Sequence, residues 1–239
     1  LFFIALFGLT GLSAEFAIGR RAKTGTLGSY ELCWEGKSKI GQKIGYIPLL
    51  GTLGIAIGYS IIIGWVLRSV FGSITGGIFS VDSAEYFSQA TGNFGSLPWH
   101  FAVVAVTVII LITGSTTQIE KANKIMMPIF YVLFAILAIR VAFLSGASEG
   151  YKFLLVPRWE QLGNINTWIM AMGQAFFSLS ITGSGMIVYG SYLDKSENIL
   201  GASIQTAVFD TMAALLSAFA IMPAVFAFGI EPGSGPSLM

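Results

Sequence analysis

Apolar residues run along this chain in long stretches broken by short charged connections. About 20 apolar residues cross the hydrocarbon of a bilayer as α-helix. Six segments reach that length: roughly 1–19, 44–71, 98–117, 122–145, 165–192 and 198–228. The second carries no charge from Ile44 to Leu67. The fourth meets Arg140 only near its end, where a long stem reaches the headgroups. Period-2 alternation is absent throughout, which argues against a transmembrane barrel. The pattern predicts an all-α membrane protein with six transmembrane helices.

Composition agrees with the pattern and removes competing classes. Hydrophobic residues make up 54% of the 239 and charged residues only 10%, whereas soluble domains carry about 25% charged. A formal charge of +1 leaves no basic surplus for nucleic acid. The one cysteine, Cys33, excludes an internal disulfide and any CxxC pair. Charge in the connections orients the helices. The 20–43 loop and the links after the third and fifth segments hold nine Lys and Arg, against Lys152 and Arg158 in the opposite loops. The 20–43 loop is therefore cytoplasmic. Leu1 already lies in an apolar segment, and the chain ends in the Gly/Pro-rich stretch from Glu231 to Met239. An internal fragment of a longer membrane protein is expected.

The fifth segment carries the clearest chemical signal. Between Ser178 and Gly185 it holds Ser178, Ser180, Thr182, Gly183, Ser184 and Gly185. Hydroxyls compete for backbone hydrogen bonds and glycine weakens a helix, so a break near mid-membrane is expected. Two readings stand: a substrate or ion site built from half-helix ends, or close helix packing through small residues. Glu15 and Asp210 are carboxylates inside apolar segments, each costing about 2.5–3.5 kcal/mol if it faced lipid at mid-helix. Glu15 is either functional or paired with Arg20 five residues on; Asp210 is either functional or a polar tie between helices. Ile55, Tyr59 and Ile62 share one helical face, with Gly54 and Gly58 at GxxxG spacing beside it. A phenol at that depth needs a partner, in packing or in a ligand. His100 follows Pro98 and Trp99 at a membrane edge and reads as an interfacial anchor; with no second histidine, zinc and haem lack a ligand set.

These residues together resemble the neurotransmitter:sodium symporters, the sodium-coupled amino-acid and amine transporters. Gly173-Gln-Ala-Phe-Phe-Ser-Leu-Ser180, followed by Tyr189-Gly-Ser-Tyr192, is similar to the sixth helix of that family. Glu15-Phe-Ala-Ile-Gly-Arg20 resembles the end of the second helix, and Tyr59 with Trp65 fits the third. Ile119 to Pro128 resembles the entry to the fifth, and Leu154 to Pro157 with Trp168 the loop before the sixth. The six segments then look like helices 2 to 7 of a leucine-transporter-type inverted-repeat fold, a fold that serves as a general example of midplane sites. The family's first and eighth helices, and with them its second sodium site, have no counterpart in this chain.

The resemblance implies roles residue by residue. Tyr59 matches the tyrosine that bonds the substrate carboxylate, and Ile55 an apolar pocket position. Phe177 matches the aromatic lid, with Ser178 and Ser180 the polar positions of the unwound stretch. Ser178 and Asp210 match sodium ligands, Asp210 standing where an asparagine is usual. Gln174 matches a glutamine at the outer gate, and Glu15 a carboxylate that steadies unwound backbone. Gly183 departs from a position that is bulky and apolar in many relatives. Gln118 stands where a glycine often helps the fifth helix unwind, and Ala214 where chloride-dependent members place serine. The resemblance thus implies a non-enzymatic, sodium-coupled symporter of an amino acid or related small amine in a bacterial cell membrane. Chloride is not expected to be required, and a homo-oligomer is left open. Two rivals remain: proton coupling through Asp210, and an intramembrane serine hydrolase using Ser184, which would need a base within reach.

Overall fold

The computed structural model describes residues 1–34, 37–92, 94–113 and 116–233, side chains included except at 83–84, 113 and 116–119. The chain runs through α1 (Phe2–Ala22), α2 (Thr26–Cys33), α3 (Ser38–Thr75), α4 (Ser83–Thr91) and α5 (Leu97–Thr113). It continues through α6 (Thr116–Ala142), α7 (Ala147–Leu155), α8 (Ile165–Ser178), α9 (Gly185–Tyr192) and α10 (Ile199–Ala227). No strand occurs among the described residues. The protein is an all-helical, multi-pass membrane protein.

Among the described residues, four uninterrupted helices are long and apolar enough to cross a bilayer: Phe2–Ala22, Ser38–Thr75, Glu120–Ala142 and Ile199–Ala227. The other two predicted segments are helical for different reasons. The third is α5, which has 17 residues; positions 114 and 115 of the expected span lie outside the described residues. The fifth is divided into α8 and α9, neither long enough alone, because the chain leaves the helix at 179–184. Pro48, Pro128 and Pro223 lie inside α3, α6 and α10. Membrane helices accept such residues where neighbours satisfy the freed carbonyls.

The chain divides into two compact units. The first comprises Leu1–Gly54 and Leu154–Ala218. Its core is Leu12 and Phe16 of α1 against Leu179 and Ile181 from the break after α8. Phe7 stacks on Phe176 with centroids 4.5 Å apart. Along α9, contact with α1 is backbone to backbone. A Cβ at Gly190 would lie 2.7 Å from the Phe16 carbonyl oxygen and 2.8 Å from its Cα. A Cβ at Gly19 would collide with the Ile187 carbonyl from the other side. The C-terminal end of α1 is tied down by its basic residues: Arg20 donates to the Glu197 carbonyl (2.7 Å) and Lys23 to that of Leu193 (2.6 Å).

The second unit comprises Ile55–Phe153 and Phe219–Met239. Arg68, near the end of α3, donates to the carbonyls of Gln89 and Gly95, both at 2.9 Å. Its guanidinium sits 5.4 Å from the Tyr86 ring centroid, and the Tyr86 hydroxyl donates to the Arg68 carbonyl (3.1 Å). One arginine thereby ties the end of α3 to α4 and to the stretch before α5. His100 packs its backbone against Gly64, and its buried Nδ1 meets no partner among the described residues. Gly150 of α7 approaches Pro223 of α10 so closely that a Cβ there would lie 2.8 Å from the proline nitrogen.

Candidate functional site

The break between α8 and α9 organises the site. Helix α8 starts at Asn164, whose side chain accepts the Asn166 N–H (3.0 Å), and its last residue is Ser178. Tight turns close its end, from the Leu179 N–H to Ala175 O (3.1 Å) and from the Ile181 N–H to Phe176 O (3.1 Å). Burial of the Leu179 and Ile181 side chains then fixes where the chain turns. Left-handed backbone follows at alternate positions: Ser180 (φ 53°), Thr182 (φ 65°) and Ser184 (φ 64°). Such conformations cost about 1–3 kcal/mol each in residues with a Cβ. The cost is highest for β-branched Thr182. The two glycines alternate with the strained residues instead of occupying their positions. Thr182→Gly is therefore expected to raise the thermal midpoint by roughly 2–4 °C for about 1 kcal/mol of relieved strain. A lower midpoint in a detergent melting scan would show that the Thr182 side chain contributes more than its backbone costs.

Glu15, on α1, reaches this stretch directly. Its Oε1 accepts the Thr182 N–H at 2.6 Å, while Oε2 is buried with no partner among the described residues. The alternative of pairing with Arg20 fails, because that guanidinium is engaged by carbonyls beyond α9. A carboxylate thus satisfies an amide that leaving the helix would otherwise have orphaned.

Ser178 and Asp210 are 32 residues apart in sequence and meet across α8 and α10. The Ser178 hydroxyl lies 2.8 Å from each carboxylate oxygen of Asp210 and donates its hydrogen to that pair. A bond to an ionised acceptor is stronger than a neutral one. It also orients the serine so that its oxygen lone pairs face away from the carboxylate. The result is a set of hard oxygens with one negative charge. Ala214, four residues on, adds no hydroxyl.

The remaining predicted residues are distributed as follows. Phe177 is half exposed on the last turn of α8, with Gln174 exposed three residues before it. Ser180 lies in the break, exposed. A Cβ at Gly183 would lie 3.4 Å from Ser180 O and 3.9 Å from Thr52 Oγ1, ordinary contacts that leave room for a side chain. Ile55 and Tyr59 lie one turn apart on α3, in the second unit, both about half exposed. The side chain of Gln118 lies outside those described. A side chain at Gly54 or Gly58 would meet nothing within 4 Å among the described residues. Ser184 is buried, and its hydroxyl has no hydrogen-bond partner among the described residues.

Sequence reasoning missed Thr52. Its hydroxyl lies within hydrogen-bond reach of the Gly183 carbonyl in the break and 2.9 Å from Pro48 O on its own helix. The available signal was a lone hydroxyl four residues after a proline in an apolar helix.

Residues 78–230 match the model of the sodium:neurotransmitter symporter family. The uncharacterized sodium-dependent transporter YhdH of Bacillus subtilis is 34% identical over 241 aligned positions, covering 99% of this chain and 53% of the relative. The mouse sodium-dependent neutral amino acid transporter B(0)AT1 is 27% identical, over 88% of this chain and 37% of its own length. Among solved structures, MhsT in complex with L-phenylalanine superposes with a TM-score of 0.90 at 37% identity, over 99% of this chain and 54% of that one. The chain spans about half the length of the bacterial relative and of MhsT, and less of the mouse protein.

Proposed function

The chain belongs to the sodium:neurotransmitter symporter family, and on that premise we propose that its protein carries an amino acid or related small amine across the membrane together with sodium, by alternating access. The observation that carries the proposal is the Ser178 hydroxyl on both oxygens of Asp210, 2.8 Å each, where a membrane helix breaks. Sodium is a hard cation that takes hydroxyl, carbonyl and carboxylate oxygens, and a charged ligand offsets the cost of bringing it into low dielectric. In this reading Ser178 and Asp210 bind sodium. Ile55, Tyr59, Phe177, Ser178, Ser180 and Gly183 bind substrate: Tyr59 donates to its carboxylate, Phe177 covers it, and Gly183 leaves space for its side chain. Glu15 couples the break to α1, and Gln174 contributes to the outer gate. The whole chain is one transporter domain in this reading.

Uptake of a panel of amino acids by the full-length protein in proteoliposomes tests the reading, with sodium exchanged for potassium at fixed pH. Sodium-dependent uptake is expected, favouring aromatic and branched aliphatic substrates over glycine and alanine because Gly183 vacates the pocket. A preference for glycine or alanine would contradict the pocket assignment. Uptake driven by a proton gradient without sodium would move the coupling to protonation of Asp210.

A further inference from the structure

We propose that Thr52 is a positioning residue for the substrate pocket: its hydroxyl holds the Gly183 carbonyl and so fixes the part of the broken stretch that carries no side chain. Three observations converge on it. The Thr52 hydroxyl bonds the Gly183 carbonyl, joining α3 to the break within the first unit. Gly183 sits between two strained residues, Thr182 and Ser184, so its peptide has no helix to hold it in place. Gly183 also lacks any side chain that could anchor it by packing, and the nearest side-chain atom to a Cβ there is Thr52 Oγ1 itself, at 3.9 Å.

The hydroxyl has a second acceptor. Pro48 O, one turn earlier on α3, lies 2.9 Å from the same oxygen. A hydroxyl carries one hydrogen and gives it to one carbonyl at a time. When the break shifts away from α3, the hydrogen passes to Pro48 O, and no buried donor is left unsatisfied. Release therefore forfeits only the bond on the Gly183 carbonyl, since the Thr52 hydroxyl keeps a partner. Thr52 holds the pocket without locking it.

The inference rests on the reading that the break lines the substrate site, so its test has one readout that requires transport and one that does not. The variants are Thr52→Val, which keeps the shape and removes the hydroxyl, Thr52→Ala, which removes both, and Thr52→Ser, which keeps the hydroxyl. In the full-length protein, Thr52→Val and Thr52→Ala are expected to raise the substrate KM about fivefold, the worth of one hydrogen bond. Their sodium half-saturation and maximal rate should stay near the unmutated values, and Thr52→Ser should restore the KM. Amide hydrogen exchange across 179–185, measured without substrate, should quicken several-fold in the Val and Ala variants and return to normal in the Ser variant. Faster exchange with an unaltered KM would support Thr52 as the holder of the break and count against the break as substrate site. Exchange unchanged in whichever hydroxyl-free variant folds overturns the inference, as does a Ser variant that behaves like Val.

Discussion

Asp210→Asn is expected to weaken apparent sodium affinity about 100-fold and to make transport depend on chloride. The substitution keeps one oxygen at nearly the same place but replaces the other with an amide donor. That donor would face the Ser178 hydroxyl, which now lies 2.8 Å from both oxygens. Two unit charges 4 Å apart interact by about 4 kcal/mol at an effective dielectric constant of 20. Part of that is recovered when the desolvation cost of the carboxylate disappears. A net loss of about 2.7 kcal/mol corresponds to the 100-fold change. The chloride requirement follows from charge balance. In the proposed reading, sodium and a zwitterionic substrate together bring one positive charge into a low-dielectric site, which Asp210 neutralises in the unmutated protein. Without it a mobile anion must do so, although Ala214 has no hydroxyl to help hold one. Uptake in proteoliposomes with chloride replaced by gluconate at constant sodium separates the cases. The unmutated protein should be indifferent to the exchange and the Asn variant should stall. Sodium affinity unaffected by Asp210→Asn would place the cation elsewhere.

Gly190→Ala is expected to destabilise the first unit strongly, costing about 3 kcal/mol or more, near the upper end for overpacking. The new methyl would lie 2.7 Å from Phe16 O and 2.8 Å from Phe16 Cα. Both are backbone atoms of a helix, so no rotamer change removes the clash and α1 must move away from α9. That motion would pull Glu15 from the Thr182 amide, because Glu15 precedes Phe16 on α1. The variant should therefore lose both folded protein and substrate binding, read as a collapsed monodisperse peak in size-exclusion chromatography and no sodium-dependent thermal stabilisation. A well-folded Gly190→Ala protein with normal substrate affinity would mean that the two helices are not in backbone contact in the membrane.

The sequence by itself determined the membrane architecture and the location of the break. Hydrocarbon excludes charge and requires every backbone polar group to be satisfied within its own segment, so helical spans are visible as charge-free runs. Each of the six expected segments is helical over most of its described residues, and the fifth leaves the helix at 179–184. The clustering of hydroxyls and glycines at 178–185 marked the break for the same reason, because such side chains compete with the helix inside an apolar run. Glu15 and Asp210 stood out because a carboxylate in lipid is costly.

Partnership was decided by tertiary structure. Distance along the chain offered Arg20 to Glu15, but helix geometry sent Glu15 to the Thr182 amide and Arg20 to carbonyls beyond α9. The sequence marked a break but not which of its residues would turn left-handed. Burial of Leu179 and Ile181 instead set the phase of the turn, and Ser180, Thr182 and Ser184 took the strained positions. Thr52 did not stand out as a site residue, because a single hydroxyl in a helix ordinarily bonds its own preceding turn. Only the approach of the break to α3 gave it a second carbonyl. Span and break follow from local free energies of transfer, which each segment carries in its own sequence. Pairings between residues 32 to 167 positions apart follow from how the helices cross, which no local pattern encodes.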